Sequence, residues 1–177
     1  GEVFARNCAG CHGPKGQGDG PAAGALLPRP RDLHTAFFSD RALSEVFWNG
    51  VKGSAMHGWH DLSTSDLRAL AVFAQSLADT KEPEAELTKA ELEQARSLFT
   101  KNCAACHGAE GGGAGYAAGA IAPAPTAFQL IRPTRKHAEQ VLDLGSPGTA
   151  MTPWKDRLSA TERRLLAAYV QTLFRPE

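Results

Sequence analysis

The chain has 177 residues, with 19 basic and 19 acidic side chains, so nothing global argues for nucleic acid as a partner. That length suits one large domain or two small ones, and no apolar run approaches the roughly 18–20 residues needed to span a bilayer. Charge is balanced over residues 1–78, acidic over 79–93 and basic over 94–177, and the basic stretch would steer an acidic partner.

Gly1 to about Ala9 reads as the end of a helix that runs into Cys8-Ala9-Gly10-Cys11-His12. C-x-x-C-H is the pattern of c-type haem attachment, in which two thiols bond to the porphyrin and the adjacent histidine ligates iron. Attachment of that kind normally takes place outside the cytoplasm. The chain begins only seven residues before Cys8, so a presequence or longer upstream region is expected to have been removed, leaving a piece of a larger, membrane-anchored polypeptide as one expectation. Residues 13–33 are rich in glycine and proline and read as a loop wrapping a prosthetic group. A short helix is predicted over Asp40–Val51. Ser63-Thr64-Ser65-Asp66 resembles a helix N-cap, and Leu67, Leu70, Ala71, Ala74 and Leu77 follow at helical spacing.

Residues 79–87 are charged, contain proline and lack a core pattern, which suggests a solvated linker. The predicted organisation is one domain over 1–79, a linker over 80–87 and a second domain over 88–177. Thr88-Lys89-Ala90-Glu91 is a capping box that opens a helix with Leu92, Ala95, Leu98 and Phe99 on one face. It leads into Cys103-Ala104-Ala105-Cys106-His107, which with the first motif uses all 4 cysteines. A second loop covers 108–128, a short helix is predicted over Thr134–Leu144, and Ser159-Ala160-Thr161-Glu162 caps a last helix carrying Leu165, Leu166, Tyr169, Val170 and Leu173.

The two halves repeat each other. At an offset of 95 residues, Phe4, Asn7, Cys8, Cys11, His12 and Gly13 fall on Phe99, Asn102, Cys103, Cys106, His107 and Gly108. In the same register Gly16, Gly18, Gly20, Pro28 and Pro30 meet Gly111, Gly113, Gly115, Pro123 and Pro125, and Gly53, Met56 and Trp59 meet Gly148, Met151 and Trp154. Each repeat therefore carries a whole module around its motif. A module of that size has a thin core, which a large apolar ring system would complete.

A c-type haem iron takes a second axial ligand, commonly methionine or histidine. The only 2 methionines, Met56 and Met151, each stand 48 residues after the first cysteine of their motif, in matching Gly-x-Ala-Met-x-x-Trp settings. That shared register favours ligation over the usual role of methionine as core filler. His34, His57 and His60 match Gln129, Thr152 and Lys155, and His137 matches Ala42, so these histidines read as surface or structural, with His57 a substitute ligand beside Met56. Pro28 and Pro123 open Pro-x-Pro segments whose loop either supplies a carbonyl to the ligand histidine or simply stiffens the chain. Trp59 and Trp154 are candidates to cover a haem edge and donate through the indole N–H, or to pack in the core. Two Cys2His sets fit zinc badly, since a structural zinc takes four ligands. Thiol redox chemistry lacks its surrounding βαβ pattern.

With these features the chain resembles the class I cytochromes c, as a tandem two-domain, di-haem member. The resemblance spans F-x-x-x-C-x-x-C-H-G, the glycine-rich loop, P-x-P, the methionine loop and the terminal helix, twice over. It implies an all-α fold of two small helical domains, each wrapped around one covalently attached haem, hence two haem c. It also implies His/Met iron at His12 with Met56 and at His107 with Met151, thioethers at Cys8, Cys11, Cys103 and Cys106, and extracytoplasmic electron transfer between a redox-protein donor and acceptor. The short first helix puts its packing against the last helix of the first repeat in question. Similar tandem domains occur free, anchored, or fused to oxidases and dehydrogenases. A haem enzyme of di-haem peroxidase or sulfur-compound dehydrogenase type, with one displaceable ligand, is the competing class. Replacement of Lys15, Arg29 and Arg31 by Glu110, Ala124 and Thr126 predicts unequal potentials.

Overall fold

The computed structural model describes residues 1–79, 82–83 and 86–175, so the predicted linker over 80–87 lies partly outside the described residues. The chain is mainly helical, as expected. The first repeat contains α1 (Glu2–Asn7), α2 (Ala9–His12), β1 (Ala36–Phe38), α3 (Asp40–Asn49) and α4 (Thr64–Leu77). The second contains α5 (Lys89–Asn102), α6 (Ala104–His107), β2 (Ile131–Pro133), α7 (Arg135–Leu144) and α8 (Ala160–Thr172).

Local sequence explains where the helices begin. The Ser39, Ser63 and Thr134 side chains each accept a hydrogen bond from a backbone N–H in the first turn of the following helix, and Thr88 and Ser159 form full capping boxes with Glu91 and Glu162. The α3 helix ends at Asn49, two residues before the predicted Val51, because Gly50 leaves helical geometry at φ 67. Leu92 stays exposed, since burial on α5 begins a turn later at Ala95.

Two hydrophobic clusters form, one for each repeat. The first gathers Phe4, Leu43, Phe47, Leu70 and Ala74. The second gathers Ala95, Phe99, Leu142, Leu165, Leu166 and Tyr169. The short α1 still docks on α4, where the Phe4 and Phe73 rings lie 4.8 Å apart and Phe4 shares its cluster with Leu70 and Ala74, so the packing in question is kept. The second cluster is larger because α5 runs 14 residues along α8.

The strands join the two repeats, a feature that the sequence reading did not anticipate. β1 pairs antiparallel with β2 in the register Ala36↔Pro133, Phe37↔Arg132 and Phe38↔Ile131. Phe37 and Arg132 are equivalent positions, so the ladder is centred on a local two-fold axis. Two flanking backbone bonds and two glycine–proline contacts obey the same symmetry. Ser39 N donates to Leu130 O at 2.9 Å and Thr134 N donates to Thr35 O at 2.8 Å. A Cβ on Gly53 would sit 2.8 Å from the Ala122 methyl, beside Pro123, while one on Gly148 would sit 2.7 Å from Leu27 and 2.9 Å from Pro28. The seam is thus self-complementary, as in an isologous dimer. Of the predicted linker, Glu82 is not simply solvated: its carboxylate accepts from Arg135 N and Gln171 Nε2, both at 2.7 Å.

Candidate cofactor site

Each C-x-x-C-H segment is a single helical turn set after a longer helix. Cys8 N donates to Phe4 O at 2.8 Å, and Cys103 N to Phe99 O at 2.8 Å, so the motif is held by the preceding helix. The glycine-rich loop then folds back over it. Gly20 N donates to Cys11 O and Gly115 N to Cys106 O, both at 3.0 Å. A Cβ on Gly20 would lie 2.5 Å from Gly10 O, and one on Gly115 would lie 2.2 Å from Ala105 O. Only glycine lets the two backbones meet so closely.

The four cysteines are free and half-buried. Burial, with the neighbouring thiol, pushes Cys8 up to about 11 and Cys103 up to about 12, so both are neutral thiols at neutral pH. Two sulfurs and one imidazole make a poor structural zinc site. The same trio, unpaired and presented from one turn, suits thioether bonding to a ring with the histidine beneath it.

The histidines are oriented. His12 Nδ1 donates to Arg31 O at 3.1 Å and His107 Nδ1 donates to Thr126 O at 3.0 Å, with the tautomer assigned from the acceptor, since a carbonyl takes only a donor. Burial lowers both histidine pKa values, partly offset by those carbonyls, so both rings are neutral and keep an Nε2 lone pair for a metal. The acceptors lie in the Pro-x-Pro loop, three residues beyond Pro28 and Pro123. The two prolines themselves face Gly148 and Gly53 across the seam. His107 also stacks on Phe128 at 4.8 Å, a partner replaced by Leu33 in the first repeat.

Both methionine loops are built alike. Val51 N donates to Met56 O at 2.7 Å, and Met56 N donates to Ser54 Oγ at 3.1 Å. Ser146 N donates to Met151 O at 2.8 Å, and Met151 N donates to Thr149 Oγ1 at 3.1 Å. Met56 and Met151 pack against the cluster of their own repeat. Ser54 and Thr149 escaped the sequence reading, although a hydroxyl at both equivalent positions was the signal.

The tryptophans follow: Trp59 N donates to Phe47 O at 2.8 Å, and Trp154 N to Leu142 O at 2.7 Å. Trp59 Nε1 is buried and has no hydrogen-bond partner among the described residues. An indole N–H without an acceptor in a closed interior is costly. A carboxylate-bearing ring bound at the adjacent motif would supply that acceptor, so haem fits the residues present. Trp154 differs, with the Arg157 guanidinium 5.4 Å from its ring centre. His57 is exposed, bonded at Nδ1 to Gly58 O at 2.8 Å and lying against Trp59. His34 is held by Asp32 at 2.7 Å, His60 lies edge-on to Trp48, and His137 sits at the seam close to Arg31.

The family model described as cytochrome c oxidase, cbb3-type, subunit III matches residues 1–73 and 90–170. The chain belongs to that family. Membership makes it a haem-based electron-transfer protein of cytochrome c type, with haem c bound covalently. The segmented match to this cbb3-type family falls on the two repeats and omits the stretch between them. Among solved structures, a chain of the Kuenenia stuttgartiensis reducing HAO-like protein complex is similar at 24% identity and a TM-score of 0.48, the alignment covering 98% of this chain and 94% of that one. No helix among the described residues is long and apolar enough to cross a membrane.

Proposed function

We propose that this chain is a di-haem relay, passing single electrons between a redox-protein donor and acceptor on the extracytoplasmic face of a membrane. Its two modules are residues 1–79 and 88–177, joined through 80–87. Periplasmic or equivalent placement follows from the thioether chemistry, and the relay serves either as a free carrier or as the electron-transfer portion of a larger oxidase or dehydrogenase.

One observation carries the reading: the same oriented imidazole and the same pinned methionine loop occur twice, bond for bond. Cys8, Cys11, Cys103 and Cys106 are the thioether positions. His12 with Met56, and His107 with Met151, are the axial pairs. When bound, each haem supplies a one-electron ferrous–ferric couple. The chain's part is to hold both ligands at fixed places, so that little rearranges when charge changes, and to leave no coordination position for a substrate. Methionine ligation and burial both favour the ferrous state. Redox partners are proteins that dock at an exposed edge.

Absorbance spectroscopy of the holoprotein tests this. A methionine-to-ferric-iron charge-transfer band worth two haems per chain is expected, and Met56→Ala and Met151→Ala should each remove half of it. High-spin iron, or rapid carbon monoxide binding at either ferrous centre, would instead favour a haem enzyme with a displaceable ligand in that repeat.

A further inference from the structure

Each strand of the seam is backed by a glutamine. In the first repeat Gln75 Nε2 donates to Phe38 O at 3.1 Å and to Asp40 Oδ1 at 2.8 Å. In the second, Gln171 Nε2 donates to Pro133 O at 3.0 Å and to Glu82 Oε2 at 2.7 Å. Gln75 and Gln171 are equivalent positions, and so are Phe38 and Pro133. A carbonyl and a carboxylate only accept, so the amide nitrogen is the atom that faces them. The carboxylates are not equivalent. Asp40 is the first residue of α3, whereas the matching first residue of α7 is Arg135, a cation that cannot accept from an amide. Glu82, from the stretch between the repeats, takes the missing place.

Glu82 also meets the start of α7. The same Oε2 accepts from Arg135 N at 2.7 Å, one of the helix-start amides with no partner inside the helix, and Oε1 lies 3.4 Å from Arg135 Nε. The Glu82 side chain is 20% exposed, so these charge-assisted bonds are sheltered and worth more than a surface pair. Gln171 Oε1 is buried without a hydrogen-bond partner among the described residues, so the amide is oriented by the two oxygens facing its nitrogen. Pro133 in turn pairs with Ala36, and beside it Thr134 N donates to Thr35 O of the other repeat. A continuous run of contacts thus leads from Glu82 through Gln171 and Pro133 into the first repeat.

We propose that the segment between the repeats is a strap fastened at Glu82, and that its docking holds β2 in the register that closes the seam. The strap supplies from outside what the first repeat carries within itself. A two-stranded ladder of three residues is marginal alone, and releasing Glu82 removes the brace behind one of its strands. With a haem in each repeat, as proposed above, release would also lengthen the path between the centres and slow electron transfer between them.

The test is amide hydrogen exchange on the full-length holoprotein, read at Thr134 and at Ser39, whose amides cross the seam in opposite directions. Glu82→Ala should speed exchange at both by about tenfold, the worth of one hydrogen bond to a charged group, while Leu70 in the first cluster keeps its wild-type rate. Glu82→Ala combined with Arg135→Asp restores a carboxylate where the first repeat has Asp40. It should return both seam amides close to wild type, which a general loss of stability would not allow. Should Glu82→Ala fail to fold, Glu82→Gln should give a smaller acceleration at the same two amides. Wild-type rates at Ser39 and Thr134 in the single variant, acceleration at Thr134 alone, or no recovery in the double variant would each overturn the strap. Haem is counted separately: one haem per chain with both amides accelerated would overturn the two-centre reading and leave the strap standing.

Discussion

At the residue scale, the site depends on small polar groups that fix larger ones. Ser54 and Thr149 each take the amide of the methionine two places on, at 3.1 Å. Ser54→Ala and Thr149→Ala should each cost about 1 kcal/mol, read as a lower denaturant midpoint for loss of the methionine band in that repeat. An unchanged midpoint would show that the loop is held by its backbone bonds alone. Cys8, His12, Met56 and their equivalents stand out in the sequence as candidates because haem chemistry demands those residue types in a repeated register. The imidazole acceptors were legible only as a loop. Every residue has a carbonyl, and Arg31 and Thr126 have nothing else in common. Trp59 and Trp154 align perfectly, yet one indole N–H is stranded and the other is not, a difference set by neighbours rather than by the residue itself.

At the element scale, the helix starts were written in the sequence as capping boxes, and the structure forms both. Thr88→Ala and Ser159→Ala should each destabilise by about 1 kcal/mol, measured as a shift in thermal unfolding. The partners Glu91 and Glu162 are held below the ordinary value of 4.5 by their hydrogen bonds to Thr88 and Ser159. Their folded pKa is depressed, so the support is complete above the unfolded value and fades as pH falls through the folded one. Stability should therefore drop below about pH 4.5, and Glu91→Gln with Glu162→Gln should flatten that part of the profile. A profile unaltered in the double variant would rule out this origin. The strands were illegible for a different reason. Ala36–Phe38 and Ile131–Pro133 are three residues each, too short to show alternation, and they are extended only because each finds the other.

At the scale of the whole molecule, duplication is combined with a self-matching seam. The repeat was plain from the register of 95, but how its copies meet depends on surfaces that no single repeat reveals. Gly53 and Gly148 have φ of 81 and 80 and abut the proline loop of the other repeat. A side chain there meets backbone and adopts a left-handed geometry, a strain of roughly 1–2 kcal/mol each. The double variant Gly53→Val, Gly148→Val should open the seam, seen as a larger radius of gyration in solution scattering, while haem content stays at the wild-type level because each hydrophobic cluster lies mainly within its own repeat. Loss of haem without expansion would show that the two halves cannot hold their cofactors apart. The seam's place within one chain has a kinetic consequence. Two separate bodies meeting through so small a ladder would part on dilution, whereas tethered ones rejoin at an effective concentration that no dilution alters. If each repeat carries a haem, as proposed, the distance between the two centres, and so the rate of exchange between them, would be the same at nanomolar as at millimolar protein.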